Sequence, residues 1–122
     1  MSGVAVVLLM KIFFKHSRGR LNVDSGSPID ESLAITLEIF RALEPKEGFL
    51  GVVLDERFIL HILADRTGGA RIELLDTSIP AFDLSVTEKS FAENLLRAAA
   101  EGRDVFALAR NSSYKWEQTD LA

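Results

Sequence analysis

The sequence of 122 residues contains no cysteine, which excludes disulfide bonds, thiol nucleophiles and thiolate metal sites. It has only two histidines, so a histidine-built zinc site is not predicted either. Lys11 interrupts the apolar run of residues 4–10, which is far shorter than the roughly 20 residues of a membrane-spanning helix. No basic segment precedes this run and no small-residue cleavage site follows it, so we expect no secretory signal. These absences favour a cytoplasmic protein.

The motifs of common catalytic and cofactor sites are missing as well. Gly68 and Gly69 are adjacent, but they lack the third glycine and the following helix of a dinucleotide-binding loop. The chain has no HExxH, GxSxG or EF-hand spacing. We therefore predict no catalytic residues, no cofactor and no metal site.

The residues that are present have the composition of a folded domain. Hydrophobic residues make up 48% of the chain and charged residues 26%, and the length suits a single domain over residues 1–122. Met10 offers a second start, in which case residues 1–9 would be an upstream extension. The net charge is −4, with an acidic block in residues 29–56. Phosphate backbones and anionic lipid would repel such a chain, so neither nucleic acid nor a membrane is a predicted partner.

Apolar periodicity predicts an α+β fold with two layers, in which two helices pack on one face of a mainly antiparallel sheet. The first helix is expected over residues 29–43, with Ser27 as its cap and Pro28 in its first turn, and the second between Thr87 and Gly102. The predicted strands span residues 4–15, 20–24, 49–54, 58–64, 70–76, 82–86 (as an edge strand), 104–110 and 114–118. Strands 49–54 and 58–64 are apolar on both faces, which predicts central strands covered on both sides.

His61 lies between Ile59 and Leu63 on one side of its predicted strand. One interpretation is a core histidine that is hydrogen-bonded to the backbone or to a neighbour. The alternative is a general base in a small enzyme or ligand-binding domain, which would need a carboxylate partner that the sequence does not place.

Five residues are predicted to bind a partner protein. Asp55 and Glu56 lie at a hairpin tip and Asp65 at the far end of the next strand, where acids are usually solvated but also steer a basic partner. Tyr114 and Trp116 are two residues apart on the predicted last strand. They either pack against the second helix or serve as exposed anchors, since such aromatics dominate interface energetics.

The chain from about residue 10 to 120 resembles the small immunity proteins of bacterial polymorphic toxin systems. The resemblance depends on the strands at 58–63 and 71–75, the helix end Glu101-Gly102-Arg103-Asp104 and the tail Tyr114-Lys115-Trp116-Glu117. It implies a cytoplasmic, non-enzymatic protein that binds a cognate toxin and blocks its active site. The basic segment at residues 15–20 departs from the acidic surface of that group.

Two functions of different classes follow from these observations. The first is a non-catalytic immunity protein, whose acids would meet a basic toxin domain. The second is a regulatory or assembly subunit resembling profilin or longin domains, which would act as a homodimer through an edge strand or its first helix.

Overall fold

The computed structural model describes residues 8–15, 22–45, 48–79 and 81–120. Residues 4–7 of the predicted first strand, and residues 16–21 of the basic segment and its following strand, lie outside this part. The described elements, in chain order, are β1 (Leu9–Lys15), β2 (Asn22–Val23), β3 (Ile29–Ser32), α1 (Leu33–Arg41), β4 (Phe49–Val53), β5 (Phe58–Ala64), β6 (Ala70–Asp76), β7 (Ala81–Thr87), α2 (Lys89–Ala100), α3 (Val105–Arg110) and β8 (Glu117–Asp120).

The strands form one sheet in the order β2-β1-β4-β5-β6-β7-β8, and β3 also pairs with β1. All of the described pairings are antiparallel. β2 and β3 share one edge of β1, because β2 pairs with its last residues and β3 with its first. This topology confirms the predicted α+β fold with its mainly antiparallel sheet.

One face of the sheet carries the hydrophobic core. Alternate residues of a strand point to opposite faces, and the positions that face the helices on β1, β4, β5 and β6 are almost completely buried. Fully buried side chains on this face are Ile12, Leu50, Val52, Leu60, Ile62, Ile72 and Leu74. Helix α1 adds Leu37 and Phe40, α2 adds Leu95 and Leu96, and α3 adds Val105 and Ala109. Burying each large side chain stabilises the fold by about 1.5–3 kcal/mol.

Helix α1 begins four residues later than the sequence predicts. Residues Ile29–Ser32 form β3, because the free edge of β1 pairs with their backbone. Ser32, not Ser27, is the cap, and its hydroxyl oxygen accepts a hydrogen bond from the Ile35 amide at 3.3 Å. The apolar spacing from Ile29 onward therefore spans a strand and a helix.

The region after α2 contains a third helix where a strand was predicted. Asp104 caps α3 and accepts a hydrogen bond from the Ala107 amide at 3.0 Å. Two of its six residues are alanine, the best helix former. The last strand begins at Glu117, so the prediction of a strand from residue 114 was wrong. β8 pairs with β7, which is consequently not an edge strand.

Gly51 on β4 makes room for an aromatic ring that lies across the sheet. The ring of Phe13, from the neighbouring strand β1, covers Gly51 so closely that a Cβ there would overlap it. The same ring lies near His61 on the next strand, with ring centroids 6.3 Å apart and planes at 22°. Phe13 is consequently only 6% exposed although it faces away from the helices.

We expect Gly51→Ala to lower the free energy of unfolding by about 1–3 kcal/mol, the usual range for inserting a methyl group into a packed site. Chemical denaturation measures this loss. Gly26→Ala is the matched control, because Gly26 has open space around it and should change stability little. In a Phe13→Leu background Gly51→Ala should cost less, because the ring it overlaps is gone. Equal effects of the two glycine substitutions would contradict this account.

Candidate functional site

The three acids predicted to bind a partner do not form one patch. Asp55 and Glu56 lie in the β4–β5 turn, whereas Asp65 lies beyond the other end of β5, about 20 Å away at the rise of a strand. Asp55 accepts hydrogen bonds from the amides of Arg57 and Phe58, at 2.7 and 2.9 Å. Asp65 likewise accepts a hydrogen bond from the amide two positions on, so Asp55 and Asp65 each stabilise a turn.

Asp65 has a structural partner in the β5–β6 turn. Its carboxylate accepts hydrogen bonds from the Thr67 hydroxyl and, at 3.1 Å, from the Thr67 amide. These bonds hold the pKa of Asp65 below its usual value, and the bond from the Thr67 hydroxyl has the largest effect. A role of these acids in steering a partner stays a prediction.

Tyr114 and Trp116 precede β8 and are half-buried in the described structure. The Tyr114 ring contacts Phe91 of α2 at a centroid distance of 4.9 Å, and its hydroxyl oxygen accepts from the Glu88 amide at 3.2 Å. Trp116 packs against the core and donates from Nε1 to the Ser112 hydroxyl at 3.4 Å. These contacts favour the packing interpretation, and an anchoring role in an interface stays a prediction.

The sheet face opposite the helices is apolar, and we call it the open face. Its large apolar side chains come from five neighbouring strands, β1 and β4 to β7: Phe13, Phe49, Val53, Ile59, Leu63, Leu75, Phe82, Leu84 and Val86. Within residues 8–15, 22–45, 48–79 and 81–120, every helix packs on the other face. The helices thus cover one side of the central strands, and the described residues do not provide the predicted cover on the other side.

A polar group lies at the centre of the open face. His61 on β5 and Glu73 on β6 are directly opposite each other in the sheet, and His61 Nδ1 is 2.8 Å from Glu73 Oε1. Arg71 contacts the other carboxylate oxygen at 3.3 Å. Phe49 lies against the imidazole ring, with centroids 5.1 Å apart. The hydrogen bond from His61 is the main cause that lowers the pKa of Glu73, and it outweighs the burial that would raise it.

The structure thus supplies the carboxylate that the sequence analysis left unplaced. Its position was present in the sequence spacing, because a hairpin that turns about Thr67 pairs residue 61 with residue 73. The pair could orient an imidazole as a base. Its neighbours in the same row of the sheet are Gly51 and Leu84, which supply neither a nucleophile nor a second acid. The described residues also contain no cluster of three or more metal-ligating side chains.

A cleft of about 750 Å³ lies between the β4–β5 turn and the connection of α2 to α3. Arg57 spans part of it and donates to both carboxylate oxygens of Asp76, at 2.7 and 2.6 Å. This guanidinium holds the pKa of the Asp76 carboxyl well below its usual range. Phe58 beneath the arginine contacts Phe106 of α3, with centroids 4.6 Å apart. Arg57 is therefore engaged in joining the hairpin to the end of β6, beside α3.

Comparisons with protein-family models, with curated proteins and with solved structures found no match to this chain. None of the helices in the described part of the chain is long and apolar enough to cross a lipid bilayer.

We expect His61→Leu to raise the pKa of Glu73, because the substitution removes the hydrogen bond that lowers it and leaves the burial. Carboxyl ¹³C NMR titration measures this shift. Asp65 is the internal control, since its partner Thr67 is untouched. An unchanged titration of Glu73 would contradict the assignment.

The same pair predicts a dependence of stability on pH. The folded pKa of Glu73 lies below its unfolded value, so its contribution is complete above about pH 4.3 and is lost as the pH falls through the folded value. Between pH 5 and pH 3 the free energy of unfolding of the natural chain should therefore fall more than that of His61→Leu. Denaturation at both pH values tests this, and equal losses would contradict it.

Proposed function

We propose that this protein acts by binding another protein through the open face of its sheet, and that binding rather than a chemical reaction is its function. The observation that carries the proposal is an apolar face, five strands wide, that no element of the described chain covers. The occupant that suits such a face is a folded protein with a flat apolar surface of similar size.

The extent of the open face supports this function. Five strands at about 4.8 Å spacing and seven residues at about 3.3 Å rise give a face of roughly 25 by 20 Å, or about 500 Å². Apolar side chains surround the polar centre over most of this area, and apolar patches of a few hundred Å² on soluble proteins are often functional. The Phe13 ring extends over Gly51 and fills the place of a side chain there.

The polar centre supports binding rather than catalysis. His61, Glu73 and Arg71 satisfy one another within the face, with side chains of His61 and Glu73 only 22% and 16% exposed. A partner that covers them would not meet an unpaired charge, which is the most costly group to bury. The His61–Glu73 pair would also restrict which partners bind, because a partner that places an apolar group over the pair would form no hydrogen bond with it.

Toxin neutralisation in the cytoplasm is the specific form of this function that the resemblance to immunity proteins implies. In that form the bound protein is a basic toxin domain. The acidic turns with Asp55, Glu56 and Asp65 would steer it electrostatically. The absence of cysteine agrees with a reducing compartment.

Site-specific photocrosslinking tests the proposed function. Val86 is 51% exposed on the open face, and Val86→p-benzoylphenylalanine places a crosslinker there. Asn94→p-benzoylphenylalanine is the matched control, because Asn94 is exposed on α2 in the helical layer. After irradiation of the purified protein and of cells that produce it, we expect one adduct of discrete mass from position 86 only. The absence of an adduct there, or equal adducts from both positions, would overturn the proposal.

A further inference from the structure

We infer that the occupant of the open face is a second copy of this chain, packed face to face about a twofold axis that runs along the strands between β5 and β6. This inference rests on the proposed function and names the partner for the same surface. It places the interface on the sheet face, in contrast to the edge strand or first helix expected from the sequence.

The strand order makes the face complementary to itself. A twofold axis between β5 and β6 places β5 of one copy on the partner's β6, and β4 on the partner's β7. The row at the Val53 end of the strands then matches apolar residues to apolar residues. In the first row, Ile59 lies on the partner's Leu75, and Val53 lies on the partner's Phe82.

At the opposite end of the strands, the pair from β4 and β7 is again apolar, whereas Leu63 on β5 lies on the partner's Arg71. Phe49 on β4 lies on the partner's Val86 on β7, which is one of the most exposed large apolar residues of the described chain. Burial of Val86 in the pair therefore removes apolar surface that the single copy leaves in water.

Charge selects this axis over the other twofold axis that two stacked sheets permit. With the axis along the strands, His61 lies on the partner's Glu73, so the central polar pairs complete each other. An axis perpendicular to the strands would place Glu73 on the partner's Glu73. It would also place Lys11 on the partner's Lys15 at the β1 side. Like charges that face each other in an interface are destabilising.

The area is sufficient for a specific pair. Two faces of about 500 Å² bury about 1,000 Å² together, which is the lower bound for a specific interface. We therefore expect a dimer that dissociates on dilution. The aligned packing of two antiparallel sheets across such a face is a common arrangement, with the sheets about 10 Å apart.

Sedimentation of the purified chain at several concentrations tests the pair. We expect the mass to rise with concentration from 13.5 kDa towards twice that value. Val86→Glu should weaken the association about tenfold or more, because it buries a charge against the partner's Phe49. Ile35→Glu is the matched control: Ile35 is 40% exposed on α1 and should leave the association unchanged. A natural chain that stays at the monomer mass at all concentrations, or equal weakening by both substitutions, would overturn the inference.

Crosslinking between engineered cysteines tests the axis. Because the chain has no cysteine, a single one is the only thiol that reacts. A short bismaleimide that bridges the roughly 10 Å between packed sheets should join Ile59→Cys to Leu75→Cys when the two variants are mixed. It should not join Ile59→Cys to Leu63→Cys, which the perpendicular axis would bring together. The reverse pattern would overturn the stated axis.

The outcomes separate this inference from the proposed function. If the crosslinker at position 86 yields only an adduct with a different protein, the open face is a binding surface and the second copy is wrong. If position 86 yields no adduct and the chain sediments as a monomer, both proposals fail.

Discussion

The packing of helices α1, α2 and α3 against a single face of one antiparallel sheet is the constraint on which the rest of the structure depends. Because side chains alternate between faces, the residues that fill this core leave every intervening position on the open face. Ile12, Leu60 and Ile72 are completely buried on the helix side. The intervening positions are also mostly apolar, although no described element covers them. This pattern is typical of a sheet with both faces covered, because exposed apolar surface has an unfavourable free energy in water.

The polar centre of the open face follows from strand register and not from proximity in the sequence. His61 and Glu73 meet because the β5–β6 hairpin pairs them directly, and the Phe13 ring reaches the imidazole because Gly51 lies between them with no side chain. A satisfied polar pair within an apolar face contributes more to the choice and orientation of a partner than to affinity. In the cleft near Arg57, by contrast, the arginine is bonded to Asp76 and joins the β4–β5 turn to the end of β6.

The sequence predicted the elements whose signals are local and consistent, and it failed where tertiary pairing decided. β5 and β6 match their predicted ranges because the apolar run of β5, the alternation of β6 and the Gly68-Gly69 turn agree. Gly68 adopts the positive φ of 91° that glycine favours. The start of α1 was wrong because pairing with β1 competes with the helical periodicity of Ile29. α3 was missed because six residues carry too little periodicity to separate a helix from a strand. The open face could not be recognised from apolar strands alone, since a face covered by the same chain and a face left for a partner can carry the same apolar residues.

The most direct test of the central claim is the solvent exposure of the open-face methyl groups. In NMR, a soluble paramagnetic probe enhances the relaxation of exposed methyl groups, and those of Leu63, Leu75 and Val86 report on the open face while Ile35 reports on the helical layer. The account predicts enhancement at all four residues in dilute protein, strongest at Val86 and Ile35, and a loss of enhancement at the first three, but not at Ile35, as the concentration rises. Open-face methyl groups that stay equally accessible at every concentration, or stay protected at every dilution, would contradict it.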